Sequence, residues 1–353
     1  MTVKTNYLTN VAIIRPILVV LLVFYHAFAP YSGAWEPIEG YPAIRAYWWL
    51  DWLSYAFMLE MFVFVSGYVF GFQVRTKGTS KLDAKNLLWG KFKRLMVPCM
   101  VFSLLYILLF QDIRQPIYKT AYDLVNGVGH MWFLPMLFWC FVGVWIIESL
   151  RLKAKWIIPL LLVCSVFSFF PLPLRLGDAM YYMFFFYVGY ILQKEDVKLD
   201  RLYTLKYCIC TVVAFCVLFP TLTLLKENLA GFNGGGYLIS SQIVIKILKC
   251  SLAKLMQIVY SSSGLFMLLI MIGYIEQKRK VEIKSWVIKV GCLCFGVYLL
   301  QQFILTGLYD YTNLSSTFGC YWLPWVGFVI ALSGSLLIAH LFIKTKIGRF
   351  LIG

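Results

Sequence analysis

Charged side chains are scarce in this chain of 353 residues. Asp, Glu, Lys and Arg make up 14% of the sequence, whereas hydrophobic residues make up 61%. A soluble globular domain contains about 25% charged and about 45–50% apolar residues. A water-soluble fold of this length could not bury so much apolar surface, which excludes a secreted enzyme, a disordered regulator and a nucleic-acid-binding domain. The sequence therefore predicts an integral membrane protein.

A cleavable signal peptide and a metal-binding motif are also lacking. The N terminus has no short apolar segment followed by a small-residue cleavage site, so the first apolar run is expected to remain as a span. The ten cysteines mostly lie singly within apolar runs, without the spacing of a zinc site. We expect neither a disulfide framework nor a metal site.

Acidic residues are half as numerous as basic ones, 16 against 32, and the formal net charge is +16. Lys and Arg concentrate in the cytoplasmic loops of membrane proteins. Ten apolar runs are long enough to be candidate spans, at about 10–29, 50–72, 95–111, 130–148, 156–171, 179–193, 203–225, 257–275, 286–306 and 322–343. Most basic residues fall in alternate connections, at 73–94, 151–155, 194–206, 278–289 and 344–349. This asymmetry predicts that both termini are cytoplasmic.

One segment complicates this topology. Residues 237–256 carry Lys246, Lys249 and Lys254 on roughly one helical face, although the segment falls on the predicted outer side. This pattern is typical of an amphipathic helix lying at the membrane interface, and an eleventh span is the alternative. With either reading, the predicted fold is an all-α polytopic bundle of about ten transmembrane helices. We expect residues 1–353 to form a single membrane domain with no appended soluble domain.

Two polar residues in the first span lie eleven positions apart, Arg15 and His26. At 100° per residue, eleven positions exceed three full turns by about 20°, and the axial separation is about 16 Å. Both side chains therefore point the same way, with Arg15 near the cytoplasmic end. An arginine there can bind phosphates, and a histidine at the outer end can accept a proton from an alcohol. The structural alternative is that Arg15 reaches the lipid headgroups while His26 makes an interhelical hydrogen bond.

The second predicted span contains Glu60, a carboxylate in a helix interior. Such a group can orient and charge-stabilise an imidazole, and it can equally be a protonated structural group or an arginine partner. Asp51, nearer the outer surface, is a rival partner for His26. Ser66 and Gly67 in the same span favour close helix packing over a serine nucleophile.

The remaining two histidines differ in position. His130 begins the fourth predicted span from the outside and is a candidate for the outer mouth of a site. Trp132, two residues later, is either an interfacial anchor or a platform for stacking a sugar. His340 lies near the cytoplasmic end of the last span and is interpreted as structural.

The ordered set of motifs along the chain resembles the acyltransferase-3 family of membrane proteins. The spacing of Arg15 and His26 is similar to the signature in that family's first helix. Further matching segments follow in family order: FVFVSGY at 62–68, KFKRLMVP at 91–98, HMWFLP at 130–135 and GVYLLQQ at 296–302. Many relatives carry histidine after Tyr-Leu-Leu in the last motif, where this chain has Gln301. His26 therefore remains the main candidate for the base.

This resemblance implies acyl transfer from cytoplasmic acyl-coenzyme A, usually acetyl-coenzyme A, to a sugar hydroxyl outside a bacterial cytoplasmic (inner) membrane. On this basis Arg15, with Arg75 or Arg94, would bind the phosphates of the donor, and the pantetheine arm would extend toward His26. Glu60 or Asp51 would support His26 as base or acyl acceptor. Asp51, His130, Trp132 and Tyr298 are the candidate contacts of the acceptor, a cell-surface glycan or lipid-linked sugar. Membrane lipid and other glycan-assembly proteins are the expected partners, without nucleic acid or metal.

Two functions of other classes are alternatives to an enzyme. A transporter that exports a glycan or acyl intermediate could use His26 and Glu60 as a proton relay. Its typical marks, inverted repeats and paired broken helices, are not found in the sequence. A non-catalytic scaffold would explain the fold but would leave the aligned Arg15 and His26 without a role.

Overall fold

Helices form nearly all of the regular structure. The computed structural model describes residues 8–78, 82–111, 116–231, 239–279 and 285–353, and it contains no β-strand within them. The prediction of an all-α fold is confirmed. Residues 79–81 and 280–284 of the predicted basic loops, and residues 237–238 of the amphipathic segment, lie outside the described residues.

Fourteen α-helices follow one another along the described chain. They are α1 (Thr9–Ser32), α2 (Arg45–Tyr55), α3 (Met58–Lys77), α4 (Ala84–Lys91), α5 (Val97–Phe110), α6 (Ile117–Asn126), α7 (Phe133–Ser149), α8 (Ala154–Val166), α9 (Leu176–Lys194), α10 (Leu205–Gly231), α11 (Ile239–Arg279), α12 (Ser285–Tyr311), α13 (Leu314–Phe342) and α14 (Lys346–Ile352). A π-helical turn, Phe92–Met96, joins α4 to α5, and a 3₁₀ helix, Gly129–Trp132, leads into α7.

Eight helical stretches are long and apolar enough to cross a membrane. They are Thr9–Ser32, Arg45–Lys77, Ala84–Phe110, Gly129–Ser149, Leu205–Leu229, Ile243–Lys278, Ser285–Tyr311 and Ser316–Phe342. The two other predicted spans correspond to α8 and α9. With 13 residues, α8 is about 20 Å long and does not reach across a hydrocarbon core of about 30 Å by itself. A multi-pass membrane bundle is confirmed, while the count of ten spans and the cytoplasmic termini stay predictions.

The amphipathic segment is not a separate element. Residues 239–256 continue without interruption into the predicted span at 257–275, as one helix of 41 residues, α11. The expectation of an interfacial helix, or of an additional span, is therefore corrected. The physical reason is that no glycine or proline occurs between Ile239 and Gly264, so nothing in the sequence interrupts the helix. Within this helix, the ammonium group of Lys254 lies 4.5 Å from the centre of the Tyr181 ring on α9.

The first helix lies inside the bundle. It packs against α2, α3, α11, α12 and α13, and its buried positions include Ile14, Leu18, Leu22 and His26. These positions recur every three or four residues, as expected for one face of a helix. This placement puts the polar residues of α1 against protein rather than lipid.

The pair α3 and α9 forms the most extensive helix contact in the described structure. Glycines allow their backbones to touch: a Cβ atom at Gly67 would overlap the Phe186 carbonyl, and one at Gly189 would overlap the Phe64 carbonyl. This is small-residue packing of the kind that brings membrane helices close together. The packing role predicted for Gly67 is confirmed.

Candidate functional site

A cavity of about 530 Å³ opens within the bundle beside α1. We call it the basic cavity because Arg15, Lys91 and Arg94 line it. Most of its wall is apolar, with Leu22 from α1, residues of α3 and α7, and Phe295 and Tyr298 from α12. The cavity thus combines three cations with a long hydrocarbon-like surface.

Two of the cations, Arg15 and Lys91, each stand at the end of a helical wall of the basic cavity. Along α7 the wall runs from Phe133 to Phe141, and the ammonium of Lys91 is 3.8 Å from the centre of the Phe141 ring. Along α1 the wall runs from Arg15 to Leu22, about 10 Å at 1.5 Å per residue. Beyond Leu22, at that end of the cavity wall, α1 continues to His26.

Two imidazole rings lie close together just beyond the end of the basic cavity marked by Leu22. His26 lies one turn after Leu22, and its ring centroid is 6.0 Å from that of His130. Both histidines are buried, at 7% and 5% exposure. The ring of Trp35, from the loop after α1, stacks on His26 with centroids 5.8 Å apart. The His130 ring is in turn 5.2 Å from that of Tyr298, a residue of the basic cavity's wall.

Helix α12 holds the 3₁₀ helix that carries His130. The Tyr298 hydroxyl donates a hydrogen bond to the His130 carbonyl at 2.6 Å, and the His130 N–H donates to the Gln302 side-chain oxygen at 3.0 Å. The His130 Nε2 is 3.2 Å from the Leu299 carbonyl. A histidine ring nitrogen at that distance from a carbonyl acts as the donor, which leaves Nδ1 as the acceptor in neutral His130. This arrangement fixes both the position and the tautomer of the ring.

Several buried polar atoms around the imidazole pair have no hydrogen-bond partner within the described chain. They include Nδ1 of His26, Nδ1 of His130 and both side-chain atoms of the Gln301 amide. Gln301 lies next to His26 and is fully buried. Most buried polar groups in folded proteins are satisfied, so a cluster of unsatisfied ones suggests a place where a ligand or water binds.

The carboxylate of Glu60 lies in a different bonding environment. It accepts hydrogen bonds from the Tyr181 hydroxyl at 2.9 Å and from the Ser261 hydroxyl at 3.1 Å. These partners belong to α9 and α11, whereas the described neighbours of His26 come from other elements. The structure therefore gives Glu60 a direct role in joining helices, and its predicted pairing with His26 has no contact in the described residues.

Asp51, the rival partner, is buried on α2 at 1% exposure. Its side chain lies near the hydroxyl of Ser32, at the end of α1. One carboxylate oxygen, Oδ1, has no hydrogen-bond partner within the described residues. Asp51 is therefore placed beside the last two turns of α1, between Tyr25 and Ser32, with no described contact to His26.

The predicted phosphate-binding residues divide into two groups. Arg15 and Arg94 line the basic cavity together, as the predicted site requires, and Lys91 joins them. Arg75 instead pairs with Asp196, just after α9, and it is not in the described lining of the cavity. Lys91 belongs to the KFKRLMVP segment, three residues before Arg94. Residues three apart on a helix are neighbours, so the sequence does carry a signal for Lys91 as a companion of Arg94.

Trp132 faces a second, smaller cavity rather than the basic cavity. Its ring centroid is 6.1 Å from that of Tyr182 on α9, and the guanidinium of Arg175 lies 5.9 Å from the ring. The next residue, Phe133, lines the basic cavity. Two neighbouring residues of the segment 130–133, Trp132 and Phe133, therefore line different cavities, and His130 lies two residues before Trp132.

Comparison with known proteins gives one family. The family model for acyltransferase-3, described as an acyltransferase domain, matches residues 9–344, nearly the whole chain. No curated protein and no solved structure matches the chain. The match covers α1 through α13, and with them both ends of the basic cavity.

Proposed function

Because the chain belongs to the acyltransferase-3 family, we propose that this membrane acyltransferase uses cytoplasmic acyl-coenzyme A, with acetyl as the acyl group. The acceptor in this proposal is a hydroxyl group of a cell-surface glycan or lipid-linked sugar on the opposite side of a bacterial inner membrane. The donor and the acceptor are expectations from the family resemblance. The geometry of the site is the basis for assigning roles to individual residues.

The observation that carries the proposal is the order of groups along α1. Arg15 lines the basic cavity with Lys91 and Arg94, Leu22 lines its apolar wall, and His26 follows beside His130. Acyl-coenzyme A has the same order: charged phosphates, a long pantetheine arm and then the thioester. Guanidinium groups bind phosphate oxygens in a bidentate geometry, and an apolar wall suits the arm.

In the proposed reaction His26 acts on the acceptor hydroxyl. Its imidazole takes the hydroxyl proton while the oxygen forms a bond to the thioester carbonyl carbon. The carbon–sulfur bond then breaks, and the proton passes to the departing thiolate, which leaves coenzyme A and an ester. In the alternative route His26 itself first accepts the acyl group and then passes it to the hydroxyl.

The supporting residues are assigned from their contacts. His130 and Gln301 lie beside His26, and α12 holds His130 through Tyr298 and Gln302. We propose that His130 and Gln301 position the imidazole and the thioester. Burial of the pair excludes bulk water and so protects the thioester from hydrolysis.

The experiment that tests this function is covalent labelling of glycan. Membranes containing the protein receive radiolabelled acetyl-coenzyme A on their cytoplasmic side, and the label on purified surface glycan is measured. The unaltered protein is expected to label the glycan, and His26→Ala is expected to abolish labelling while the protein remains inserted and folded. His340→Ala is the matched control, because His340 is exposed near the end of α13.

The result also separates the alternatives. A transporter or scaffold would leave no covalent label on glycan, even with the unaltered protein. Full labelling by His26→Ala would remove His26 from the mechanism. Acetyl label retained on the protein, and lost in His26→Ala, would select the route through an acyl-imidazole.

A further inference from the structure

The second cavity has a volume of about 180 Å³, roughly a third of the basic cavity. We call it the polar cavity. Its lining comes from α2, the 3₁₀ helix, the start of α9 and α11, and includes Tyr55, Trp132, Asp178, Tyr182, Lys254 and Gln257. The mechanism described above uses none of its charged groups.

The lining of the polar cavity includes residues that adjoin the imidazole pair. Trp132 lies two residues after His130 in the same 3₁₀ helix. On the other side, the ring of Tyr55 stacks on that of Tyr25 with centroids 4.4 Å apart, and Tyr25 precedes His26. Neither histidine is in the described lining of either cavity, but residues next to them are. Tyr298 and Phe133 line the basic cavity, and Tyr55 and Trp132 line the polar cavity.

The lining combines aromatic faces with groups that both donate and accept hydrogen bonds. Asp178 offers a carboxylate, Lys254 an ammonium and Gln257 an amide. Ser168 also lines the cavity, and although it is only 9% exposed, its hydroxyl has no hydrogen-bond partner within the described residues. A ring bearing several hydroxyls matches this set, because each hydroxyl is both donor and acceptor.

The charges of the lining favour an uncharged ligand. Asp178 is the acidic and Lys254 the basic side chain of the described lining, and their charged forms have opposite signs. Asp178 also pairs with Arg175 at 3.6 Å, and Lys254 lies over the ring of Tyr181. Within the described lining the two charges balance, and both groups can hydrogen-bond to the hydroxyls of an uncharged ring.

We propose that the polar cavity binds one uncharged saccharide ring of the acceptor, with Trp132 and Tyr182 against the ring and Asp178, Lys254 and Gln257 on its hydroxyls. This inference rests on the proposed function and names the acceptor subsite of the same enzyme. The two substrates then approach the imidazole pair from different cavities. Donor and acceptor binding are accordingly sensitive to different residues.

The test measures separate Michaelis constants for the two substrates. The full-length protein in lipid nanodiscs receives radiolabelled acetyl-coenzyme A with methyl glycosides of neutral hexoses, and with methyl glycosides of uronic acids and hexosamines for comparison. Lys254→Met is expected to raise the KM for the neutral hexoside at least about tenfold, the loss expected when a hydrogen bond to a charged group is removed. The KM for acetyl-coenzyme A is expected to stay unchanged.

Lys246→Met is the matched control, because Lys246 lies eight residues earlier on the same helix and is exposed. Ser168→Ala is a milder second variant, which tests the same cavity if Lys254→Met does not fold. An equal acceptor KM in Lys254→Met, Ser168→Ala and Lys246→Met would overturn the proposal, as would a preference for the charged glycosides. If the unaltered protein still labels surface glycan, either of these results contradicts only the acceptor subsite. If the unaltered protein labels no glycan at all, the proposed function itself is contradicted.

Discussion

At the scale of single residues, the sharpest contrast is between Arg15 and Arg75, two of the arginines predicted to bind phosphate. Arg15 lines the basic cavity, whereas Arg75 pairs with Asp196 outside its described lining. Arg15→Ala is expected to raise the KM for acetyl-coenzyme A at least about tenfold, because it removes a charged contact with phosphate. Arg75→Ala is expected to change this KM little. Initial rates at varied acetyl-coenzyme A check both, and equal effects of the two variants would contradict the assignment.

Glu60 provides a second test at this scale. Glu60→Gln keeps an oxygen that can accept from Tyr181 or Ser261, so most of the activity is expected to remain. Glu60→Ala leaves the Tyr181 hydroxyl without its acceptor, whereas the Ser261 hydroxyl keeps the Ala56 carbonyl. The cost of one unsatisfied buried group is about 1–3 kcal/mol. Thermal melting of the purified protein is expected to show a lower Tm for Glu60→Ala than for Glu60→Gln.

The opposite pattern would restore the role suggested by the sequence. If Glu60→Gln lost all glycan labelling without a change in Tm, the carboxylate would act in the reaction itself. A buried charge within a span indicates a functional or a structural role. Which of the two applies depends on the facing helices, here α9 and α11, and these are not known from the sequence of α3.

At the scale of elements, the contact between α3 and α9 depends on glycine. In Gly189→Ala the new methyl group overlaps the Phe64 carbonyl, and overpacking of this kind costs about 1–3 kcal/mol. Gly307→Ala on α12 is the control, because a Cβ atom there meets nothing within 4 Å. Detergent-solubilised Gly189→Ala is expected to have a clearly lower Tm, and Gly307→Ala an unchanged or higher one. Equal Tm values would show that the helices do not need this close approach.

Helices could largely be located from the sequence, but their ends and continuity could not. The apolar run of α1 and the Arg15 and His26 positions on one face follow from helical geometry alone. For residues 239–256 the lysine pattern indicates an interfacial helix, yet the chain continues as α11. Periodicity describes which face is polar, and it does not show whether a helix continues into the next segment.

At the scale of the whole molecule, the site depends on contacts between distant segments. His26 and His130 meet only because α1 and the 3₁₀ helix pack near the same part of α12. The sequence shows Gln301 as a departure from many relatives, but its position beside His26 follows from the fold. Arg15 and Arg94 could be proposed together because both lie near the predicted cytoplasmic side. The exclusion of Arg75 required the contact with Asp196.

The central claim is that one ligand extends along α1, from the cations to the imidazole pair. Its most direct test is a structure of the protein with coenzyme A, determined by electron cryo-microscopy in nanodiscs. We predict density for the phosphates at Arg15, Lys91 and Arg94, the pantetheine arm along Leu22 and Phe133, and the sulfur atom next to His26. Coenzyme A bound with its phosphates away from these three cations, or with its sulfur remote from both histidines, would contradict the account.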